Sequence, residues 1–186
     1  MAVYAEYKKM NTKYTTTVDG ILAETLGKNR QSGHDNYNNT RRFFKNKSEE
    51  NIIGVKGEMA FAKIFGLEMD EEVRPDGDKS VDFVLQYPAR DLTIDVKTAR
   101  KPIYLFLKKK DAPTAADILV LAGIVDNTVK FIGWEKRSII TAAPTKDFGY
   151  GIVNYYKHNT ELRPMETLDE LLKLKVGQKK NIVDKT

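Results

Sequence analysis

Read for the spacing of apolar and polar positions, the chain divides near residue 50. The first 50 residues are polar and rich in Asn, Thr and Tyr. They predict one short helix, Val18 to Leu26, with Gly27 as its C-terminal stop. Residues 28–48 read either as a mobile basic segment or as a helix pair that orders on binding. From Glu50 the pattern tightens: residues 50–65 carry apolar side chains at helical spacing and end at Gly66. An acidic, turn-rich stretch, Leu67 to Ser80, leads to two strand-like runs, Val81–Tyr87 and Leu92–Thr98, joined by a turn over Pro88 to Asp91. Further strands are expected at Ile103–Leu107 and Asp117–Val125, the latter turning at Asp126-Asn127 into Thr128–Trp134. Glu135–Ala142 reads as a helix and Gly151–Tyr156 as a last strand. Thr167 with Glu170 reads as a capping box opening a helix through Leu174. Together these elements predict an α/β (α+β) fold, a mixed central β-sheet flanked by helices. Residues 1–48 form a polar and basic N-terminal helical segment and residues 49–186 the main body, within a single domain overall.

Composition narrows the chemistry. No cysteine is present, which excludes disulfides and thiolate metal sites, and His34 and His158 show no ligand spacing, so zinc is not expected. Trp134 reads as core. No apolar run reaches a membrane-spanning length and the N-terminus lacks the apolar core of a signal peptide, so a cytoplasmic protein without a membrane partner is expected. The Asn-x-Ser/Thr triplets at Asn38 and Asn46 then carry no meaning. A net charge of +5 is a weak pointer to nucleic acid; its distribution says more. Residues 97–110 hold Lys97, Arg100, Lys101, Lys108, Lys109 and Lys110 with no acid among them, and Arg41, Arg42, Lys45 and Lys47 surround Phe43 and Phe44. Charge runs of this kind are commonly just solvated faces.

The two strand-like runs place unusual residues together. Alternation puts Asp95 and Lys97 on one face. With the turn centred on Ala89-Arg90, position 82 opposes 97 and position 84 opposes 95, so Asp82, Asp95 and Lys97 converge, Asp82 diagonal to Asp95. The opposite faces carry Val81, Phe83, Leu85, Tyr87, Ile94 and Val96, a core surface. On the preceding helix Glu58 falls among Val55, Phe61, Ala62 and Phe65, with Lys56 and Lys63 nearly opposite. An acid in an apolar stripe is either a buried ion-pair partner or part of a site.

Glu58 on a helix, Asp82 in a strand and Asp95-Val96-Lys97 in the next strand resemble the PD-(D/E)XK nuclease superfamily over roughly residues 50–110, and are similar in outline to the small stand-alone nucleases common in bacteriophage genomes. Asp76, in Pro75-Asp76, competes with Asp82, which is preferred because it lies within a strand of the right parity. The resemblance implies a restriction-endonuclease-like core and a DNA endonuclease dependent on Mg²⁺ or Mn²⁺. Catalysis would fall to Glu58, Asp82, Asp95 and Lys97. The metal would be held by Asp82, Asp95 and the Val96 carbonyl, with Glu58 acting through water or on a second ion. Lys97 would orient the attacking water, or act as base if its pKa is lowered. Arg100, Lys101, Lys108, Lys109, Arg41 and Arg42 are the expected nucleic-acid contacts, with Thr98 of second rank. DNA is favoured over RNA, and a homodimer would let single sites cut both strands. The rivals are a non-catalytic nucleic-acid-binding protein and a phage protein that binds a host protein. A nucleotide-using enzyme is disfavoured because Gly54, Gly57 and Gly66 make no phosphate loop.

Overall fold

A computed structural model describes residues 12–35, 47–69, 81–87, 90–149 and 151–173. The fold is mixed α/β in three layers, built outward from its most apolar strand. That strand, β5 (Ile118–Val125), is buried at every position but the last. A continuous apolar run suits a strand covered on both faces. Ile118, Val120, Ala122 and Ile124 join the core under the helices, whereas Leu119 and Leu121 join a second core on the other side.

Five strands form the central sheet: β1 (Thr15–Thr17), β6 (Thr128–Lys136), β5, β3 (Leu92–Ala99) and β2 (Phe83–Leu85), in that order across it. Only the β3–β5 pair is parallel. The chain returns between these two through β4 (Tyr104–Lys108), which pairs with β8 (Val153–His158) in a second, three-stranded antiparallel sheet completed by β7 (Thr145–Asp147). Leu105 and Leu107 of β4 close the second core against Leu119 and Leu121. The β5–β6 hairpin turns at Asp126, whose φ of 55° is the left-handed conformation that short polar residues tolerate. A register shift at Leu121/Ala122 inserts an extra residue into β6 and turns both Phe131 and Trp134 toward the helices. Trp134 is core, its Nε1 donating to the Pro164 carbonyl and to Thr167 Oγ1.

On the helical layer, α1 (Gly20–Asp35) starts at Asp19, whose Oδ1 accepts the N–H groups of Ile21 and Leu22. It runs through Gly27 rather than stopping there. A Cβ at Gly27 would lie 3.0 Å from the Ile52 backbone, so this glycine serves close helix packing instead of termination. Helix α2 (Lys47–Phe65) ends at Gly66 (φ 64°), as its sequence predicts. The predicted Glu135–Ala142 helix shrinks to one turn, α3 (Arg137–Ile140), because β6 continues through Lys136. Glu135 is instead a buried strand residue, pinned by Lys157 Nζ at 2.5 Å and Arg163 Nε at 2.9 Å. Helix α4, over residues 165–173, begins after Pro164, so Thr167 lies inside its first turn and bonds back to the Pro164 carbonyl. The strands β1 and β7 are not foreseen by pattern. Among the described residues, no helix is long and apolar enough to cross a membrane.

Candidate active site

The site is assembled by docking one turn of α2 on the β2–β3 hairpin. Phe61 of α2 meets Phe83 of β2, ring centroids 5.1 Å apart. One turn earlier, Gly57 faces Thr98 of β3, where an added Cβ would stand only 1.8 Å from Thr98 Oγ1. Glu58 lies between these two contacts and is buried. Arg100, just past β3, forms an ion pair with Glu49 in the first turn of α2 and closes the same interface.

The hairpin supplies the rest. Phe83 pairs with Ile94 and Leu85 with Leu92, which sets Asp82 directly opposite Asp95, its N–H donating to the Ile94 carbonyl at 2.9 Å. The expected register, 82 against 97, is thus displaced by two residues. The last pair is Leu85 with Leu92, which leaves six positions, 86 to 91, between the strands in place of the four expected. A slip of two keeps parity, so Asp82, Asp95 and Lys97 still share a face. Beyond the start of β2, Asp82 Oδ2 accepts the Val96 N–H at 2.6 Å, and its carboxyl comes within hydrogen-bonding reach of Asp95. A strand residue directs its N–H and C=O to the same side, so the Val96 carbonyl edge faces this site as well.

Lys97 Nζ stands 2.7 Å from Asp95 Oδ2, with the Asp95 side chain 2% exposed and that of Lys97 41%. That ion pair is the contact made by Asp95 Oδ2, while Thr98 Oγ1 is buried with no hydrogen-bond partner among the described residues. The charges act on one another strongly. Burial raises the Asp82 carboxyl well above the usual carboxylate range, and the charges of Glu58 and Asp95 push it further, against lowering by the Val96 N–H and Lys97. Burial raises Asp95 too, with Lys97 opposing. For Lys97, burial favours the neutral amine, but Asp95, Asp82 and Glu58 outweigh it and raise its pKa, so the ammonium is retained at neutral pH.

Two carboxylates and a peptide carbonyl are hard oxygen donors, suited to Mg²⁺ or Mn²⁺. Among the described residues no three Asp, Glu or His side chains converge as a metal cluster. Asp82 and Asp95 are the pair brought together, and Glu58 acts on Asp82 and on Lys97 through its charge. Two direct carboxylates are enough for an ion that keeps several of its waters.

The basic run 97–110, continuous in sequence, is divided in space. Lys97 belongs to the site, Arg100 turns to Glu49, Lys101 is exposed in the β3–β4 turn, and Lys108 ends β4 in the other sheet. Lys109 and Lys110 follow in a short 3-10 turn, Lys110 lying 4.0 Å from Asp111. Arg41, Arg42 and Asp76 lie outside the described residues. His158 holds the turn that follows β8, its Nδ1 accepting the Thr160 N–H, an ordinary structural role. Sequence reasoning did not single out Gly57 as the close-approach residue; its place beside Glu58 on the buried stripe was the available signal. No family profile, no curated protein and no solved structure matches the chain. Its chemistry is therefore read from the site.

Proposed function

We propose that this protein is a Mg²⁺-dependent DNA endonuclease of the PD-(D/E)XK type, its mixed sheet serving as a restriction-endonuclease-like core. The observation that supports the reading is the pairing of two buried carboxyls: Asp82 stands opposite Asp95 across the hairpin, Lys97 Nζ lies 2.7 Å from Asp95 Oδ2, and the charge of Glu58 acts on Asp82 and Lys97. Like charges crowded in a buried place are costly, and a bound divalent cation would offset that cost.

Asp82 and Asp95 would hold the ion together with the Val96 carbonyl. Bound there, Mg²⁺ would supply a Lewis acid that acidifies a water ligand and offsets charge developing on the phosphate. Lys97, half-exposed and cationic, would place its ammonium against a non-bridging phosphate oxygen or orient the attacking water. Its raised pKa disfavours the role of general base. Glu58 would help keep Lys97 protonated and take a hydrogen bond from a metal-bound water. Cutting both strands of a duplex with one such site per chain would require a homodimer.

Cleavage of labelled single- and double-stranded DNA and RNA tests the reading, with Mg²⁺, Mn²⁺ or EDTA, using wild type, Asp95→Ala and Lys97→Ala. Metal-dependent cutting of DNA, reduced by about 10²–10⁴ in each variant, is expected. No cutting of any nucleic acid by wild type, with variants that differ only in melting temperature, would reduce the cluster to a structural ion network.

A further inference from the structure

The outward face of the second sheet is aromatic where a solvated face would be polar. In β4, Leu105 and Leu107 point into the core, leaving Tyr104, Phe106 and Lys108 on the other side. The register sets Phe106 against Tyr156 of β8 and Lys108 against Asn154, and β7 brings Lys146 beside Asn154. Phe148 completes the patch. Its ring lies 4.9 Å from Phe106, 5.7 Å from Tyr104 and 5.4 Å from Tyr156. These rings are not sealed: Phe106 is 38% exposed, and the other three are partly exposed. Lys146 Nζ rests over the Phe148 ring at 5.2 Å.

We infer that this face binds single-stranded DNA, its bases stacking on Tyr104, Phe106, Phe148 and Tyr156 and its phosphates meeting Lys108 and Lys146. Neighbouring rings on an open sheet are a sequence-tolerant platform for bases, and flanking ammonium groups track the backbone. Charge selects this occupant: none of the side chains that share the face is acidic, while lysines stand at two of its margins. The choice of DNA rests on the function proposed above. The face itself lies on a different sheet from Asp82, Asp95 and Lys97, so it can be tested by binding alone. Tyr104 follows Lys97 by seven positions, which limits the two Cα atoms to about 25 Å. A strand held on the rings thus stays within reach of the cutting site.

Fluorescence anisotropy with a labelled oligothymidylate, in EDTA so that no strand is cut, measures the binding directly. Phe106→Leu keeps an apolar side chain and removes only the ring; Lys146→Ala removes one ammonium. Both are checked for an unchanged thermal melt, and Phe106→Ala serves if Phe106→Leu melts early. Wild type should bind the oligothymidylate more tightly than a duplex of equal length. Loss of the Phe106 ring should weaken binding about tenfold. Loss of Lys146 should lower the salt dependence by roughly one phosphate contact. Binding equal to wild type in folded Phe106 variants overturns the proposal, as does a dimer seen by sedimentation that those variants dissolve, since a second copy would then cover the rings. Ring-dependent binding without any metal-dependent cleavage would leave this face standing and remove the nuclease. Cleavage that ignores the rings would do the reverse.

Discussion

Replacing Gly57 by Ala tests whether the site depends on the absence of a side chain. In an isolated helix the change would stabilise by about 1 kcal/mol, because Ala is the better helix former. Here the new Cβ would lie 1.8 Å from Thr98 Oγ1, 3.0 Å from Thr98 Cβ and 3.4 Å from Thr98 Cγ2. Rotation of Thr98 can move the hydroxyl aside, but a β-branched residue keeps a second γ atom nearby, and the Cβ distance does not change on rotation. Relief therefore requires α2 to rise from β3, an overpacking cost of roughly 1–3 kcal/mol. Set against the helix gain, the net is a loss of about 1 kcal/mol and a fall in Tm of roughly 2–4 °C for a chain of this size. Thr98→Ala removes the clashing Oγ1, whose burial without a partner is itself a cost. In a double-mutant cycle read by urea unfolding, the two changes should couple by about 1 kcal/mol, the pair being more stable than Gly57→Ala alone. Cleavage should fall further than stability, since Glu58 is carried on the same turn. Gly57→Ala as stable as wild type, with no coupling to Thr98, would refute the account of how the helix sits.

Three further outcomes follow from the charges. Asp82→Asn can still accept the Val96 N–H while removing one crowded negative charge, so in EDTA it should melt higher than wild type by about 2–8 °C, the gain typical of relieving a functional site. It should also lose both cleavage and the rise in Tm that Mg²⁺ gives wild type, as calorimetry with and without the ion would report. At Glu135, burial pushes the carboxyl upward, but hydrogen bonds from Lys157, the Lys136 N–H and Arg163 outweigh it and hold the pKa below the ordinary 4.5. A depressed carboxylate contributes stability above its unfolded pKa and loses it as pH falls through the folded one. Glu135→Gln should accordingly cost about 1–3 kcal/mol at pH 7 and almost nothing well below pH 4, in urea titrations at the two pH values.

What could be read from sequence was what depends on short periods. Parity placed Asp82, Asp95 and Lys97 on one face of the hairpin even though the register was off by two, because a slip of two returns every side chain to its own side. The helical period placed Glu58 on the buried stripe of α2, and Gly66 marked that helix's end. What escaped depends on partners distant in the chain. Gly27 looks the same as a stop or as a helix contact until Ile52 is set against it. Thr15–Thr17 has no hydrophobic period and is a strand only because β6 offers an edge. Glu135 shares its helix-like surroundings with Arg137–Ile140, and the partners that satisfy its buried carboxylate in the strand, Lys157 and Arg163, lie more than twenty residues on. The rings on β4 alternate with leucines in plain view, but nothing local tells that Phe148 and Tyr156 will gather beside them.

The pairing of β1 with β6 also bears on the order in which the molecule is made. Thr15 lies against Lys130 and Thr17 against Thr128. The strand that closes one edge of the sheet leaves the ribosome early and waits for more than a hundred residues before its partner is synthesised. Contacts of such long sequence separation form slowly, since loop closure must come first. Until β6 arrives, Tyr14 and Val18 lack the Val129 and Phe131 side chains that complete their core. A nascent chain paused before residue 128 therefore leaves part of its apolar core uncovered, the condition under which incompletely folded chains associate.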